Sequence, residues 1–574
     1  MKDHHTHSGI IVISMMTRRF LVVEHPEGHI GFVKGKIESS DLSPRHAALR
    51  ELKEETCIDS LNLHILDIDP ITETYTTVDG ENKSVIYFAA FVVDEGSVKG
   101  SGGTLRSLWV SVEEIENSLN FPRSQAISKY VKLMERREIS IEYRPGVSKN
   151  LAKPESVQLL AQNLSKHQYS RLAPLSLLFP DLFLFASKPD TVDSAYIERV
   201  RELSRQVNKG IISIPPHITD NSWSTLNLIP ALLRKHGGVR LSKPQGCKIG
   251  ERPIEWYLDV CRSFGCVVVE TDDNITIETG MGDTPKKDNI YLDFQKPTFT
   301  GTSMALAFAA WQAIDYKLTT TIVNASQEPE IRDMINAMRR LGYRIDEGNS
   351  DQVYTLSVFP LEAKLNTVIW EVALDRNVLF TYLCGIILTS KQITFDVNQN
   401  ASIDEAIPLF NILNYNLYSD SRCIRLTPRS SLDNMQTAKE VHFGFAPMPG
   451  SDWQPLFSTT AAALGMSLRI YDHVFEDRFK YLESVRNIMK NITVKHMADG
   501  SVTIDRVASI RKDISPTSVR AGDLRYGAAM LLACLSTDRK VIITNIHQIF
   551  RGYANPVELF NSISNRGTFH YVQH

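Results

Sequence analysis

The chain has 574 residues, more than one compact core holds, so about three packed units are expected. Hydrophobic residues at 43% and charged residues at 22% exclude a disordered or collagen-like chain. Lys and Arg total 63 against 66 Asp and Glu, so the net charge of -3 offers no general attraction for nucleic acid and leaves small anionic ligands open.

Seven cysteines without a CxxC pair point to a reducing compartment, and no apolar run reaches the ~18 residues of a membrane span. A cytoplasmic protein is expected. In chain order, Gly9 to Ile13 and Phe20 to Val23 read as paired strands, and a glycine-marked stretch from Gly28 to Lys36 leads to a helix. Ser43 can cap that helix, Pro44 fits its first turn, and Ala47, Ala48 and Leu52 form its apolar side. Glu51, Glu54 and Glu55 share another face at i, i+3 and i+4. Carboxylates so crowded repel unless a hard cation such as Mg2+ or Mn2+ lies between them, or unless Arg50 and Lys53 balance them as a solvated face. Ser84 to Val93 reads as a strand, Ser124 to Glu138 as a helix, and the Pro-, Gly- and Ser-rich text from Pro145 to Pro154 as a linker.

Beyond residue 160 a helix followed by a strand recurs six times, at RVRELSRQVNKGIISI, YLDVCRSFGCVVVE, IRDMINAMRRLGYRID, IPLFNILNYNLYS, YLESVRNIMKNITVKH and VELFNSISNRGTFHYV. A spacing of roughly 60 to 80 residues suits a small helix-and-sheet module used six times, three to a lobe. Cys247 lies beside Lys248 in the loop QGCKIG, where positive charge favours a thiolate, whereas Cys261, Cys384 and Cys534 read as packing residues.

The segment GKIESSDLSPRHAALRELKEETCI resembles the Nudix box, whose owners cleave nucleoside diphosphates linked to another group. The resemblance implies an α/β/α sandwich over residues 1–140, with Gly35 as the loop glycine, Arg50 orienting the catalytic Glu51, and Glu51, Glu54 and Glu55 holding Mg2+ or Mn2+. Fourteen residues rather than thirteen separate Gly35 from Arg50, only Asp41 or Glu38 stands for the mid-box glutamate, and Cys57 replaces the closing glycine. Either a working pyrophosphatase or a nucleotide-sensing module fits this text.

KPQGCKIGERPIEWYLDVCRSFGC, VNASQEPEIRDMINAMRRLG, ALDRNVLFTYLCGIIL, MPGSDWQPLFSTTAAALG, VFEDRFKYLESVRNI and RAGDLRYGAAMLLACL are similar, in order, to segments of the enolpyruvyl transferases, closest to the UDP-N-acetylglucosamine 1-carboxyvinyltransferases. The resemblance implies a linker at 141–160 and two lobes, 161–373 and 374–574, each of three βαβαββ units in an inside-out α/β barrel. It implies transfer of the enolpyruvyl group of phosphoenolpyruvate to a uridine nucleotide such as UDP-N-acetylglucosamine, with release of phosphate and no cofactor. Cys247 then matches the acid that protonates the methylene carbon, Arg252 the phosphate-binding arginine, and Arg525 and Arg551 the carboxylate-binding pair. Asp452 matches the acceptor of the hydroxyl proton, Asp523 a supporting carboxylate, and Arg478 a further active-site arginine.

In the first module the family's Lys-Asn pair is absent, and LSKHQYSR is similar instead to the SK-x4-R pattern of the 5-enolpyruvylshikimate-3-phosphate synthases. That makes Lys166 the donor-binding lysine and Arg171 an acceptor contact. Trp256 and Tyr257 also depart from the family's acceptor-facing text and either stack on the acceptor or pack the helix after the loop, with packing the favoured expectation. Rival readings are an acceptor such as UMP, as in nucleoside-antibiotic pathways, and a regulatory nucleotide-binding protein with two degenerate domains.

Overall fold

The computed structural model describes residues 6–573 apart from 27, 29, 57, 59–62, 77–79, 94, 96–105, 119–124, 147–159, 208–209, 220–221, 243–253, 281–288, 351–352, 390–391, 397–402, 421–422, 430–438, 476 and 508–513. Strands His7–Ser14 and Asn82–Val92 pair in parallel at the centre of an eight-stranded mixed sheet. Side chains alternate across a strand, so this one sheet carries two cores. Ile10, Val12, Ala90 and Val92 pack beneath the acidic helix Pro44–Thr56 through its Ala48 and Leu52. Ile11, Ile13, Ala89 and Phe91 face the helices Val112–Ser118 and Gln125–Arg136, which makes the unit an α/β/α sandwich. Ser43 Oγ accepts the His46 amide at 3.2 Å, the expected cap.

The remainder folds as small open sheets around buried helices. Each of the six repeated segments forms a helix ending in a strand, from Val192–Gln206 with Gly210–Ser213 to Pro556–Ile563 with Gly567–Gln573. Six other helices are largely buried; four are apolar or small over most of their length, while Lys166–Leu178 buries charged side chains at its start and Ile229–His236 ends in a basic turn. Lys166–Leu178, Ile229–His236 and Phe299–Asp315 pack together in the first half, and Arg376–Thr389, Gln454–Ala463 and Leu524–Cys534 in the second. Buried helices inside and sheets outside give the inverted arrangement expected.

Residues 141–145, expected in a linker, belong instead to the strand Ile139–Pro145. This strand lies between Val541–Thr544 and Gly567–Gln573, antiparallel to both, with Tyr143 opposite Val541 and Phe569. Ile139, Ser140, Ile141, Glu142 and Tyr143 are all buried. Their partners lie some 400 residues further on, so nothing local announces the strand. The sandwich docks on the same region: His64 sits among Phe91, Phe550 and Tyr571 with ring centroids 4.9, 4.8 and 5.2 Å away. The Asp67 amide donates to the Tyr571 carbonyl at 2.7 Å. Among the described residues no helix is long and apolar enough to cross a membrane.

A chain starting at residue 138 keeps the inserted strand, and one starting at residue 147 loses it and leaves two strand edges unpaired. Thermal denaturation should show a cooperative transition for the longer chain and precipitation, or melting roughly 10 °C or more lower, for the shorter. Equal melting would exclude a structural role for Ile139–Pro145.

Candidate active site

The sites separate by domain. On the acidic helix, Arg50 Nη1 donates to Glu51 Oε1 at 2.7 Å and to Glu54 Oε2 at 3.2 Å, while its other nitrogens bind both Asp41 oxygens and the Lys36 carbonyl. Asp41 thus supplies the carboxylate that fixes the arginine. A Cβ on Gly35 would lie 1.9 Å from the Glu51 carboxyl carbon, so only glycine lets the loop approach so closely. Burial, then the Glu51 and Glu54 charges, push Glu55 up to about 7. Three hard oxygen donors on one face suit Mg2+ or Mn2+ by type, although among the described residues no three such donors already converge.

The second site lies in a cleft of about 320 Å3 between the halves of the helical region. One wall carries His167, Arg171, Trp223, Trp256, Lys296 and Phe299, and the other Arg376, Ser451, Asp452, His473 and Phe475. Several buried helices begin here, capped by Ser165, Thr298, Asp375 and Asp523 through bonds to backbone amides. Helix N-termini carry partial positive charge, so their convergence favours an anionic ligand.

The predicted cations assemble around two carboxylates, the buried Asp193 and the half-buried Asp452. Lys166 Nζ donates to Asp193 Oδ2 at 2.7 Å and Arg551 Nε to Asp193 Oδ1 at 3.2 Å. Burial opposes ionisation of Asp193, yet Arg551 and Lys166 pull it down to about 2. Asp452 Oδ1 accepts from Arg478 at 2.6 Å and its Oδ2 from Arg525 at 3.2 Å. Burial would raise this carboxyl too, but the two guanidiniums hold it well below the usual range. Asp523 accepts the Arg525 amide at 2.9 Å, so it caps the helix that presents the arginine. Arg171 lies 4.0 Å over the Phe299 ring and donates to Thr300 Oγ1 at 3.2 Å.

Lys166, Arg171, Asp452, Arg478, Asp523, Arg525 and Arg551 are therefore brought together. Cys247 and Arg252 lie outside the described residues. Sequence reasoning missed Asp193, His167 and the Arg376 cluster. Arg376 binds Glu328 at 2.7 Å, Glu330 at 3.0 Å and Glu405 at 3.2 Å, joining the two halves beside the cleft. The pair Asp375-Arg376 at a helix start and the Glu-Pro-Glu text were the available signals. Trp256 does not pack as expected: it is 47% exposed on the cleft wall, because the first turn of Glu255–Ser263 turns it away from the core side of Leu258 and Cys261. Cys261, Cys384 and Cys534 are fully buried, as packing residues should be.

Comparison with known proteins agrees with this division. A NUDIX domain profile matches residues 3–131, and that of EPSP synthase (3-phosphoshikimate 1-carboxyvinyltransferase) matches residues 206–559. The UDP-N-acetylglucosamine 1-carboxyvinyltransferase of Kosmotoga olearia is 24% identical over 352 residues, 61% of this chain and 78% of that protein. One from Clostridium acetobutylicum is 28% identical over 380 residues, 64% of this chain and 79% of its own. The crystal structure of the enolpyruvyl transferase NikO from Streptomyces tendae superposes with a TM-score of 0.59 at 19% identity, covering 76% of this chain and all of that one. The chain belongs to the EPSP synthase family of enolpyruvyl transferases, and carries a NUDIX domain ahead of the transferase.

Proposed function

We propose that the protein transfers the enolpyruvyl group of phosphoenolpyruvate to a hydroxyl of a uridine nucleotide such as UDP-N-acetylglucosamine, releasing phosphate. The observation that carries this reading is the Asp452–Arg478–Arg525 cluster, whose aspartate lines the cleft, with the Lys166–Asp193–Arg551 triad starting at the residue before the cleft-lining His167. Lys166 and Arg551 are the cradle for the donor's anionic groups, and planar guanidinium suits a carboxylate or phosphate. The acceptor hydroxyl is deprotonated within the Asp452 cluster, and Arg171 with Phe299 binds the acceptor. Cys247 and Arg252 complete the donor site by resemblance. A smaller acceptor, a uridine monophosphate, is the second reading: about 320 Å3 is at the low end for ligand sites, and aromatic side chains occupy the wall.

In the NUDIX domain Glu51, Glu54 and Glu55 would hold Mg2+ or Mn2+, which when bound polarises a pyrophosphate oxygen. Arg50 orients Glu51. A uridine nucleotide metabolised in the cytoplasm is a substrate within reach of both domains.

Incubation with phosphoenolpyruvate and a panel of uridine nucleotides should release phosphate and give an enolpyruvyl product by mass detection. Arg551→Ala should impair phosphoenolpyruvate use with every acceptor, and Asp452→Asn should lower kcat ~100-fold or more while nucleotide binding persists. No phosphate release with any nucleotide would instead support a regulatory nucleotide-binding protein.

Glu54→Gln with Glu55→Gln removes two anionic ligands and should weaken Mn2+ binding roughly tenfold or more in titration calorimetry, leaving enolpyruvyl transfer intact. Unchanged affinity would remove the proposed metal site.

A further inference from the structure

We propose that the cavity at the seam between the NUDIX domain and the transferase binds the phosphate group of a small molecule and so bridges the two domains; the site is separate from the cleft and independent of the enolpyruvyl transfer reading. The cavity holds about 270 Å3 and takes its walls from three parts of the chain. Met15 and Arg18 come from the turn between His7–Ser14 and Phe20–Glu24, and residues 135–139 from the end of Gln125–Arg136 and the start of Ile139–Pro145. Residues 545–547 come from the transferase, just ahead of Arg551.

On the NUDIX side the lining is cationic. Arg18 has a left-handed backbone with φ 60°, a conformation that a side chain of this size keeps only where its surroundings hold it. Its Nε and Nη2 donate to the carbonyls of Met134, Glu135 and Arg137 at 2.5 to 3.1 Å, closing the end of the helix Gln125–Arg136. Those carbonyls carry the helix's partial negative charge, so the guanidinium cancels what would repel an anion there. Its Nη1 has no partner among the described residues. Arg136 and Arg137 are exposed, and among the described residues neither side chain is hydrogen-bonded or ion-paired. Two carboxylates share the lining. Glu138 Oε1 is taken by the Asn545 amide at 2.7 Å and lies 3.8 Å from Arg520, which leaves Glu135 to offset one of the three guanidiniums.

The transferase wall adds a donor of fixed tautomer. Arg551 Nη1 donates to Gln548 Oε1 at 3.3 Å, which turns the amide nitrogen of that side chain to His547 Nε2 at 2.9 Å. An amide nitrogen can only donate, so Nε2 accepts and the neutral imidazole carries its hydrogen on Nδ1. That N–H has no partner among the described residues. Guanidinium donors on one wall and an imidazole N–H on the other suit an anion whose acceptor oxygens point in several directions, which is a phosphate rather than a planar carboxylate. Met15, Ile139 and Ile546 give the cavity an apolar side for a small organic group carried on that phosphate. A ligand held by both walls binds the docked domains better than separated ones, so it stabilises the docking.

Titration calorimetry of the full chain with inorganic phosphate and with UMP tests this, with EDTA present so that no divalent cation is held at Glu51, Glu54 and Glu55. Arg136→Gln with Arg137→Gln should weaken one phosphate site roughly tenfold or more, because two charged donors are lost. His547→Ala, on the opposite wall, should weaken the same site severalfold. Phosphate bound between Lys166 and Arg551 is common to every form compared. Both arginines are exposed, so the unliganded double variant should melt with the unmodified chain. Tighter binding of UMP than of inorganic phosphate identifies a nucleotide as the occupant, and equal affinity identifies phosphate itself. Equal affinities and site numbers in the unmodified chain and the double arginine variant would overturn the proposal. A loss in that variant with His547→Ala unaffected would overturn it too, since two isolated surface charges give that result. No turnover enters these measurements, so failure of the transfer reading would leave their outcome standing.

Discussion

Two buried cations side by side repel each other, and Lys166 and Arg551 stand together because the Asp193 carboxylate lies between them. Arg551 and Asp193 are 358 positions apart, so this one carboxylate ties the last module to the first. All three side chains are at least nine-tenths buried. Removing one partner from such a buried set typically costs ~3–5 kcal/mol, because the remaining charges lose their compensation. Such a pair of cations could also be shared by a phosphate or carboxylate. Asp452 likewise compensates Arg478 and Arg525, and Glu328, Glu330 and Glu405 compensate Arg376.

Each of these clusters is held at a helix start. The caps Ser165, Thr298, Asp375 and Asp523 satisfy backbone amides that would otherwise be orphaned, and the next one or two residues are Lys166, Phe299, Arg376 and Arg525. The buried helices thus locate the chemistry by their ends while their apolar bodies supply stability. Gly527 permits this close packing: a Cβ there would come within 2.3 Å of Ile549, two residues before Arg551. The helix carrying Arg525 and the segment carrying Arg551 are held in contact by the absence of a side chain.

What could be read from the sequence was whatever is local. The Ser43-Pro44 start, the Glu51, Glu54 and Glu55 face, and six helix-to-strand segments each depend on residues within a few turns of one another. The candidate cations came from motif text, and the structure sets Lys166 and Arg551 around Asp193 and Arg478 and Arg525 around Asp452. The misses were non-local. Asp193 is one acid among many until Lys166 and Arg551 flank it, and Ile139–Pro145 reads as a strand only once its distant partners are known.

The sheet of the first domain also settles how the two sites relate. Residues of His7–Ser14 alternate between two cores: Ile10 and Val12 lie under the acidic helix, whereas Ile11 and Ile13 join the core that continues into Phe550 and Tyr571. The face bearing Glu51, Glu54 and Glu55 is consequently turned away from the transferase. A nucleotide used by both sites would have to leave one domain and enter the other through solvent. The rigid part of the contact is elsewhere, where His64 packs on Phe550, the residue before Arg551. The two rings meet tilted at 56°, so one packed contact between the domains reaches the backbone next to Arg551.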